Sequence, residues 1–252
     1  MKNAETIIGY PISQYSMESC LTQLLSWIEA TGKSRYLVCA NPHSLIEADK
    51  DPAFSRAIHD ADIVVPDGVG VVLASKINGG TIQERVTGHD IFIGVNTCLD
   101  SVGGKSCFFL GSTEETLQQI QSKMAVDFPN LKVAGTYSPP YKSLFEDEEN
   151  QQILQAIRAA QPDVLWVGMT APKQEKWIHQ HLAELDVPLS VPIGAVFDFY
   201  TGRITRSPIV FQRLGMEWLP RLLQEPRRLW RRNFISSPLF VWKVIKTRLF
   251  RP

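Results

Sequence analysis

The chain has 252 residues, 44% of them apolar and 21% charged, with 16 Gly and 16 Pro. That length can bury a sizeable core as one or two domains, and the composition excludes collagen-like, coiled-coil and wholly disordered classes. Lys+Arg and Asp+Glu number 26 each, but they are unevenly spread. Residues 221–252 hold nine Lys/Arg against Glu225, a net +8, while the first 220 residues hold 17 basic and 25 acidic side chains, a net −8. A basic segment on an acidic body seeks phosphate, whether of nucleic acid, lipid headgroups or a diphosphate substrate.

Apolar, β-rich runs alternate with segments of helical period. This predicts an α/β fold, Rossmann-like, with a mostly parallel sheet and helices on both faces. In chain order the patterns predict a helix over 17–30, a strand over 36–40, a helix over 43–59, a strand over 63–66 and a helix over 90–99. Next come a strand over 107–110, a helix over 113–128, a strand over 131–135, a helix over 147–160, a strand over 163–168, a helix over 172–185 and a strand over 189–193. Within the helix at 90, Ile91, Phe92, Val95 and Leu99 recur at helical spacing; Glu146-Asp147-Glu148-Glu149 opens another, where acid suits the dipole. From about Ser207 the strand signal stops and the chain turns helical, punctuated by Pro208, Pro220, Pro226 and Pro238. The predicted division is an α/β domain over 1–208 and a basic, aromatic helical appendage over 209–252.

Cys20, Cys39, Cys98 and Cys107 have no C-x-x-C or metal-ligand spacing, so neither a disulfide framework nor a zinc site is expected. Residues 1–13 lack the apolar core of a signal peptide, and no apolar run reaches the roughly 18 residues of a membrane span. A cytoplasmic location is expected.

In an open α/β sheet ligands bind beyond the carboxyl ends of the strands. Asn41 follows the first predicted strand, Asp67-Gly68 the second, Gly111-Ser112 the third and Thr170 to Gln174 the fifth; Asp198 lies a few residues past the sixth. Asp67, in Pro66-Asp67-Gly68-Val69-Gly70, is a candidate general base on a glycine-rich turn that lets a substrate approach the backbone, with a turn or cap aspartate as the alternative. Gly68-x-Gly70, with Glu84 at a ribose-binding distance, matches part of a dinucleotide fingerprint whose third glycine is here Leu73; a nicotinamide-dependent dehydrogenase is the rival it suggests. The segment from Thr170 to Trp177 opens a helix with Pro172 in the first turn. Lys173 beside that positive helix end favours a bound anion. Asp60-Ala61-Asp62 precedes a strand and reads as a solvated turn, and His179 and His181, two apart on a helix, are poor joint metal ligands. No metal or cofactor is called for.

In the appendage, Arg227 with Arg231 and Arg228 with Arg232 are i,i+4 pairs amid Trp218, Trp230, Phe234, Phe240, Trp242 and Phe250. Val241, Val244, Ile245 and Leu249 between the charges favour a lipid surface over nucleic acid, with core or oligomer packing as the plainer alternative.

Taken together, Asn41, Asp62-x4-Asp67-Gly68, Arg85-Val86-x-Gly88-x-Asp90, Phe109-Leu110-Gly111, Pro172-Lys173-Gln174-Glu175, Phe197-Asp198-x3-Gly202-x3-Arg206-x-Pro208 and Leu214-Gly215-x-Glu217-Trp218-Leu219-x-Arg221 resemble the WecG/TagA/CpsF glycosyltransferases, family 26, over nearly the whole chain. The resemblance implies inverting, metal-independent transfer of N-acetylmannosamine, its uronate or glucose from a UDP-sugar to a polyprenyl-diphosphate-linked sugar in cell-surface polysaccharide synthesis. It implies a protein held peripherally on the cytoplasmic face of the inner membrane, needing no cofactor and no nucleic acid, with homo-oligomerisation open. Asp67 matches the family's base. Cys39, standing where a threonine is common, and Asn41 flank it at catalytic positions. Gln174 and Asp198 match sugar-pocket positions, and Arg85, Gly111, Lys173 and Glu175 lie in the matching substrate-binding blocks. Arg221, Arg228 and Arg231 match tail arginines that close over the diphosphate. Thr170 and Ala195 stand where glycine is usual, and Pro220 where an aromatic is usual. A nonenzymatic, membrane-docked UDP-sugar binder is the second rival.

Overall fold

Strands that are apolar at consecutive positions need cover on both faces, and the chain supplies it. In a computed structural model, which describes residues 3–30, 32–205, 207, 211, 218–224 and 226–250, the six predicted strands form one parallel sheet. They are β3 (Arg35–Ala40), β4 (Ile63–Pro66), β5 (Ser106–Gly111), β6 (Lys132–Tyr137), β7 (Val164–Gly168) and β8 (Leu189–Pro192), in the order β4-β3-β8-β7-β5-β6. Alternate residues feed two cores. Tyr36, Val38, Val64, Phe108, Leu110, Leu165 and Val167 face one layer of helices, and Leu37, Ile63, Val65, Phe109, Trp166 and Val191 face the other.

The second layer holds α1 (Met17–Glu29), α5 (Gly88–Val102), α6 (Glu114–Asp127) and α9 (Val196–Thr201); the first holds α2 (Pro42–Ala48), α3 (Pro52–His59), α4 (Val69–Ile77), α7 (Asp147–Ala160) and α8 (Lys173–Leu185). Helix α5 starts at Gly88, two residues before the predicted start, where Thr87 and Asp90 cap each other's backbone N–H groups.

Three local expectations need correction. The single helix over 43–59 is two, because Asp51 takes an extended conformation and caps α3 while Pro52 cannot continue a helix. The stretch after Gly68 and the stretch around Asp198 are helices, α4 and α9. Neither signal stood out, as α4 is apolar nearly all round and α9 has six residues. The first residues, unassigned from sequence, form an antiparallel hairpin, β1 (Ala4–Ile7) and β2 (Tyr10–Ser13), whose Ser13 hydroxyl donates to the Val64 carbonyl at 2.9 Å and so covers the β4 edge.

Beyond the sheet the described chain is helical, as expected: α10 (Trp218–Gln224), α11 (Pro226–Arg231), a π-helical turn (Arg232–Ser236) and α12 (Ser237–Leu249). Phe240 and Val244, 2% and 1% exposed, join the core formed with α2 and α4. Lys243 pairs with Asp49 at the end of α2. Among the described residues no helix is long and apolar enough to cross a membrane.

Asp51 accepts the backbone N–H groups of Ala53 and Phe54 at 3.0 and 3.1 Å and the Lys176 ammonium at 2.8 Å. Replacing it by Ala should cost about 1–2 kcal/mol at neutral pH. The Lys176 hydrogen bond holds its carboxyl below the ordinary value. Its stabilisation is therefore complete above the unfolded-state pKa of about 3.9 and fades as pH falls through the lower native value. Urea midpoints of Asp51→Ala and the parent, measured from pH 7 downwards, should converge below about pH 4.

Candidate active site

Because every strand runs the same way, the residues after β3, β4, β5, β7 and β8 share one rim. The Asp67 backbone N–H donates to the Ala40 carbonyl at 2.8 Å, which sets Asp67 beside Asn41. Gly68 holds φ +138°, a conformation that L side chains rarely adopt, and it caps α4. Gly70 was expected to let a substrate near the backbone, but the space is filled: a Cβ there would lie 2.6 Å from Cγ of Pro42. The glycine thus lets α4 pack against the start of α2.

Asn41 has a structural duty that its sequence position did not reveal. Its Oδ1 accepts from the backbone of His43 and Ser44 at 3.1 Å each, capping α2. Cys39, the next-to-last residue of β3, lies among carboxylates. Burial pushes its thiol well above the ordinary range, and Asp67, Glu175 and Asp90 add to the shift. The Arg85-Val86-x-Gly88-x-Asp90 block arrives at the same place: the Val86 N–H donates to the Pro66 carbonyl at 3.1 Å, and a Cβ on Gly88 would meet Cys39 Sγ at 3.4 Å.

From the other side of the rim, α8 delivers Gln174 and Glu175, both 4% exposed. Gln174 Oε1 accepts the N–H groups of Met169 and Gly194 at 3.2 and 3.1 Å, tying the ends of β7 and β8 together, and its Nε2 donates to Glu175 Oε1 at 2.9 Å. Glu175 Oε2 is buried with no hydrogen-bond partner among the described residues. Burial pushes this carboxyl up to about 7. Pro172 is the residue just before α8 rather than in its first turn. Lys173 turns towards the β6 side, where its ammonium donates to the Lys142 carbonyl at 2.5 Å and sits 3.4 Å from the Phe145 ring centroid.

A second group forms beyond β5 and β8. Gly111 ends β5 so close to β7 that a Cβ would lie 2.5 Å from the Gly168 carbonyl oxygen. Asp198, on α9, is 3.7 Å from Arg203, whose guanidinium donates to Thr116 at 2.6 Å. Arg203 went unnoticed in the sequence although it lies inside the Phe197-to-Pro208 block. Arg231 is exposed, and the side chains of Arg221 and Arg228 lie outside the described residues, as do Arg206, Pro208, Leu214, Gly215 and Glu217.

Other sequence candidates have plain roles. Glu84, read in the sequence at a ribose-binding distance, accepts the Met17 backbone N–H at 2.6 Å at the start of α1. Asp62 accepts the Tyr36 N–H at 3.2 Å, and Asp60 pairs with His179 at 2.9 Å, whereas His181 pairs with Glu184. Among the described residues no three His, Cys, Asp or Glu side chains gather as a metal site.

The profile of the glycosyl transferase WecG/TagA/CpsF family matches residues 5–252. An N-acetylglucosaminyldiphosphoundecaprenol N-acetyl-beta-D-mannosaminyltransferase of Bacillus spizizenii is 33% identical over 243 residues, which cover 94% of this chain and 90% of the relative. The enzyme of the same name from Bacillus subtilis is 31% identical over 245 residues, covering 96% and 91%, and that of Staphylococcus aureus strain MW2 is 29% identical over 215 residues, covering 84% and 80%. With its parallel sheet and a rim carrying Asn41, Asp67, Gln174 and Glu175, the chain belongs to the WecG/TagA/CpsF family of glycosyltransferases.

Proposed function

We propose that this glycosyltransferase moves N-acetylmannosamine, or a related hexose, from a UDP-sugar to a sugar carried on polyprenyl diphosphate, by one inverting displacement without a metal. The observation that carries the reading is that the carboxylate Asp67, directly after β4 and adjoining Asn41, lies with Glu175 in the electrostatic neighbourhood of Cys39 on the rim. The names of the relatives support the acceptor and the transferred sugar.

In this reading the acceptor hydroxyl oxygen attacks C1 of the donor sugar while Asp67 takes its proton. The bond from C1 to the UDP oxygen breaks, and its electron pair leaves on the diphosphate. A single back-side displacement inverts the anomeric carbon. Without a metal, the growing diphosphate charge needs cations and N–H donors. Arg85, the tail arginines Arg221, Arg228 and Arg231, and the helix starts at Gly68 and Lys173 are the groups we assign to it. Asn41 Nδ2, left over from the cap, and Asp198 are assigned to substrate hydroxyls. Lys173 serves this rim through the loop it anchors.

The appendage holds the protein at the membrane surface. Val241, Trp242, Ile245 and Leu249 are exposed along one side of the final helix, with Lys246 and Arg248 beside them, and Phe234 is exposed on the π-helical turn before it. Such a stripe suits the headgroup boundary, where each basic residue adds about 1 kcal/mol on an anionic leaflet. Lys243, paired with Asp49, serves the fold instead.

UDP release, followed with UDP-N-acetylmannosamine, its uronate and UDP-glucose on a lipid-diphosphate-linked N-acetylglucosamine acceptor, should select one donor and persist in excess chelator. In that assay Asp67→Asn should lose about 10²–10⁴ in turnover, and activity of the variant within threefold of the parent would remove Asp67 from the role of base. Activity abolished by chelator and restored by Mg²⁺ or Mn²⁺ would overturn the arginine assignment. On vesicles containing anionic lipid, the double variant Trp242→Ser with Ile245→Ser should bind at least about tenfold more weakly than the parent, since two large apolar contacts are lost. Undiminished binding would show that this stripe does not meet the lipid.

A further inference from the structure

One contact joins the C-terminal segment to the turn that carries Asn41. Asn41 Oδ1 accepts the His43 backbone N–H at 3.1 Å, and the His43 imidazole bonds through Nδ1 to Ser236 Oγ at 2.8 Å. His43 is thus held by a rim residue through its backbone and by the appendage through its side chain. Ser236, 2% exposed, is the last residue of the π-helical turn Arg232–Ser236 that directly follows Arg231. The same neighbourhood is visible electrostatically. The His43 pKa is lowered first by burial and then by the Arg232 charge, with Arg231 and Lys50 adding to it and Glu47 opposing. A π-helical turn inserts a residue into the helical register, so whatever pins the turn sets the direction of the side chains that precede it.

From this geometry we propose that His43 is a positioning residue: its bond to Ser236 fixes the register of the π-helical turn against α2, and thereby aims Arg231 at the rim beside Asn41. The proposal rests on the assignment of the tail arginines to the leaving diphosphate. The bond is not what attaches the segment, because Phe240 and Val244 are buried in the core formed with α2 and α4 and Lys243 holds Asp49. Without the bond the appendage stays docked while Arg231 loses its alignment.

The test is steady-state UDP release by the full-length chain, with the donor that the release assay selects. His43→Ala and Ser236→Ala should each lower kcat about tenfold and change the donor KM less than about threefold, because the diphosphate charge that the arginines meet grows towards the transition state. Both variants remove one bond, so combining them should cost no more than either alone. His43→Asn, whose amide reaches the position of Nδ1, should restore kcat to within about threefold of the parent. A residue that merely filled space would give additive losses and no such rescue, and that result would overturn the proposal. Should His43→Ala fail to fold, Ser236→Ala, which deletes only a hydroxyl, decides the matter. If Arg231→Ala is impaired while both single variants turn over within twofold of the parent, the positioning role fails and the arginine assignment stands. If Arg231→Ala is itself unimpaired, both fall.

Discussion

The direction of the sheet governs the rest of this molecule. Six parallel strands need crossover helices on both faces, and with both faces buried the strands have no room for polar side chains except at their ends. Polar groups that follow strands far apart in sequence, near residues 40, 67, 170 and 195, therefore converge on one edge. The pairing of β3 with β8 inside the order β4-β3-β8-β7-β5-β6 brings Asn41, Cys39 and Gly194 close together on that edge. The hairpin at the amino terminus belongs to the same solution, since it covers the β4 edge that would otherwise offer free backbone groups.

The rim is where local stability is given up. Asp67, Glu175 and Asp90 surround the Cys39 thiol, and each carboxylate makes charging the group harder. Glu175 has one oxygen engaged by Gln174 and the other buried without a partner among the described residues, and burial, outweighing the Gln174 hydrogen bond, carries its carboxyl up to about 7. A core position filled for stability would not leave a carboxyl in that state. Around it the backbone is made stiff: Gln174 binds two loop N–H groups at once, and Gly70 allows Pro42 to close on α4. The result is a rigid frame holding ill-matched polar groups, which is the arrangement expected of a site that binds and reacts.

The appendage joins this frame in two chemically different ways. Apolar contacts through Phe240 and Val244, with the Lys243–Asp49 pair at one end of α2, supply attachment, and the polar contact between His43 and Ser236 at its other end supplies alignment. Helix α2 is only seven residues long, and its first cap is Asn41. Contacts made at the outer surface of the molecule are thus one short helix away from the rim. The exposed side of α12 remains apolar and aromatic, with Lys246 and Arg248 beside it.

The strand positions were legible in the amino-acid pattern because uninterrupted apolar runs such as residues 63–66 and 164–167 have no stable place outside a doubly covered sheet. The motif blocks likewise carried the family. Short helices were not legible: α4 is apolar on nearly every side, α9 is brief, and the break between α2 and α3 depended on how Asp51 was used. Roles at the rim were also hidden. Asn41, Glu84 and Gly70 each suggested ligand chemistry, yet only folding revealed a helix cap, a bond to the start of α1 and a packing contact with Pro42. His43 and Ser236 are separated by 193 residues, and no local pattern relates them. What the sequence determined by itself was the order of apolar and polar segments, which dictates a parallel sheet and a common rim. Which polar residue faces a ligand and which completes a backbone hydrogen bond was decided only in the tertiary structure, because satisfying buried donors and acceptors depends on neighbours that the fold brings together.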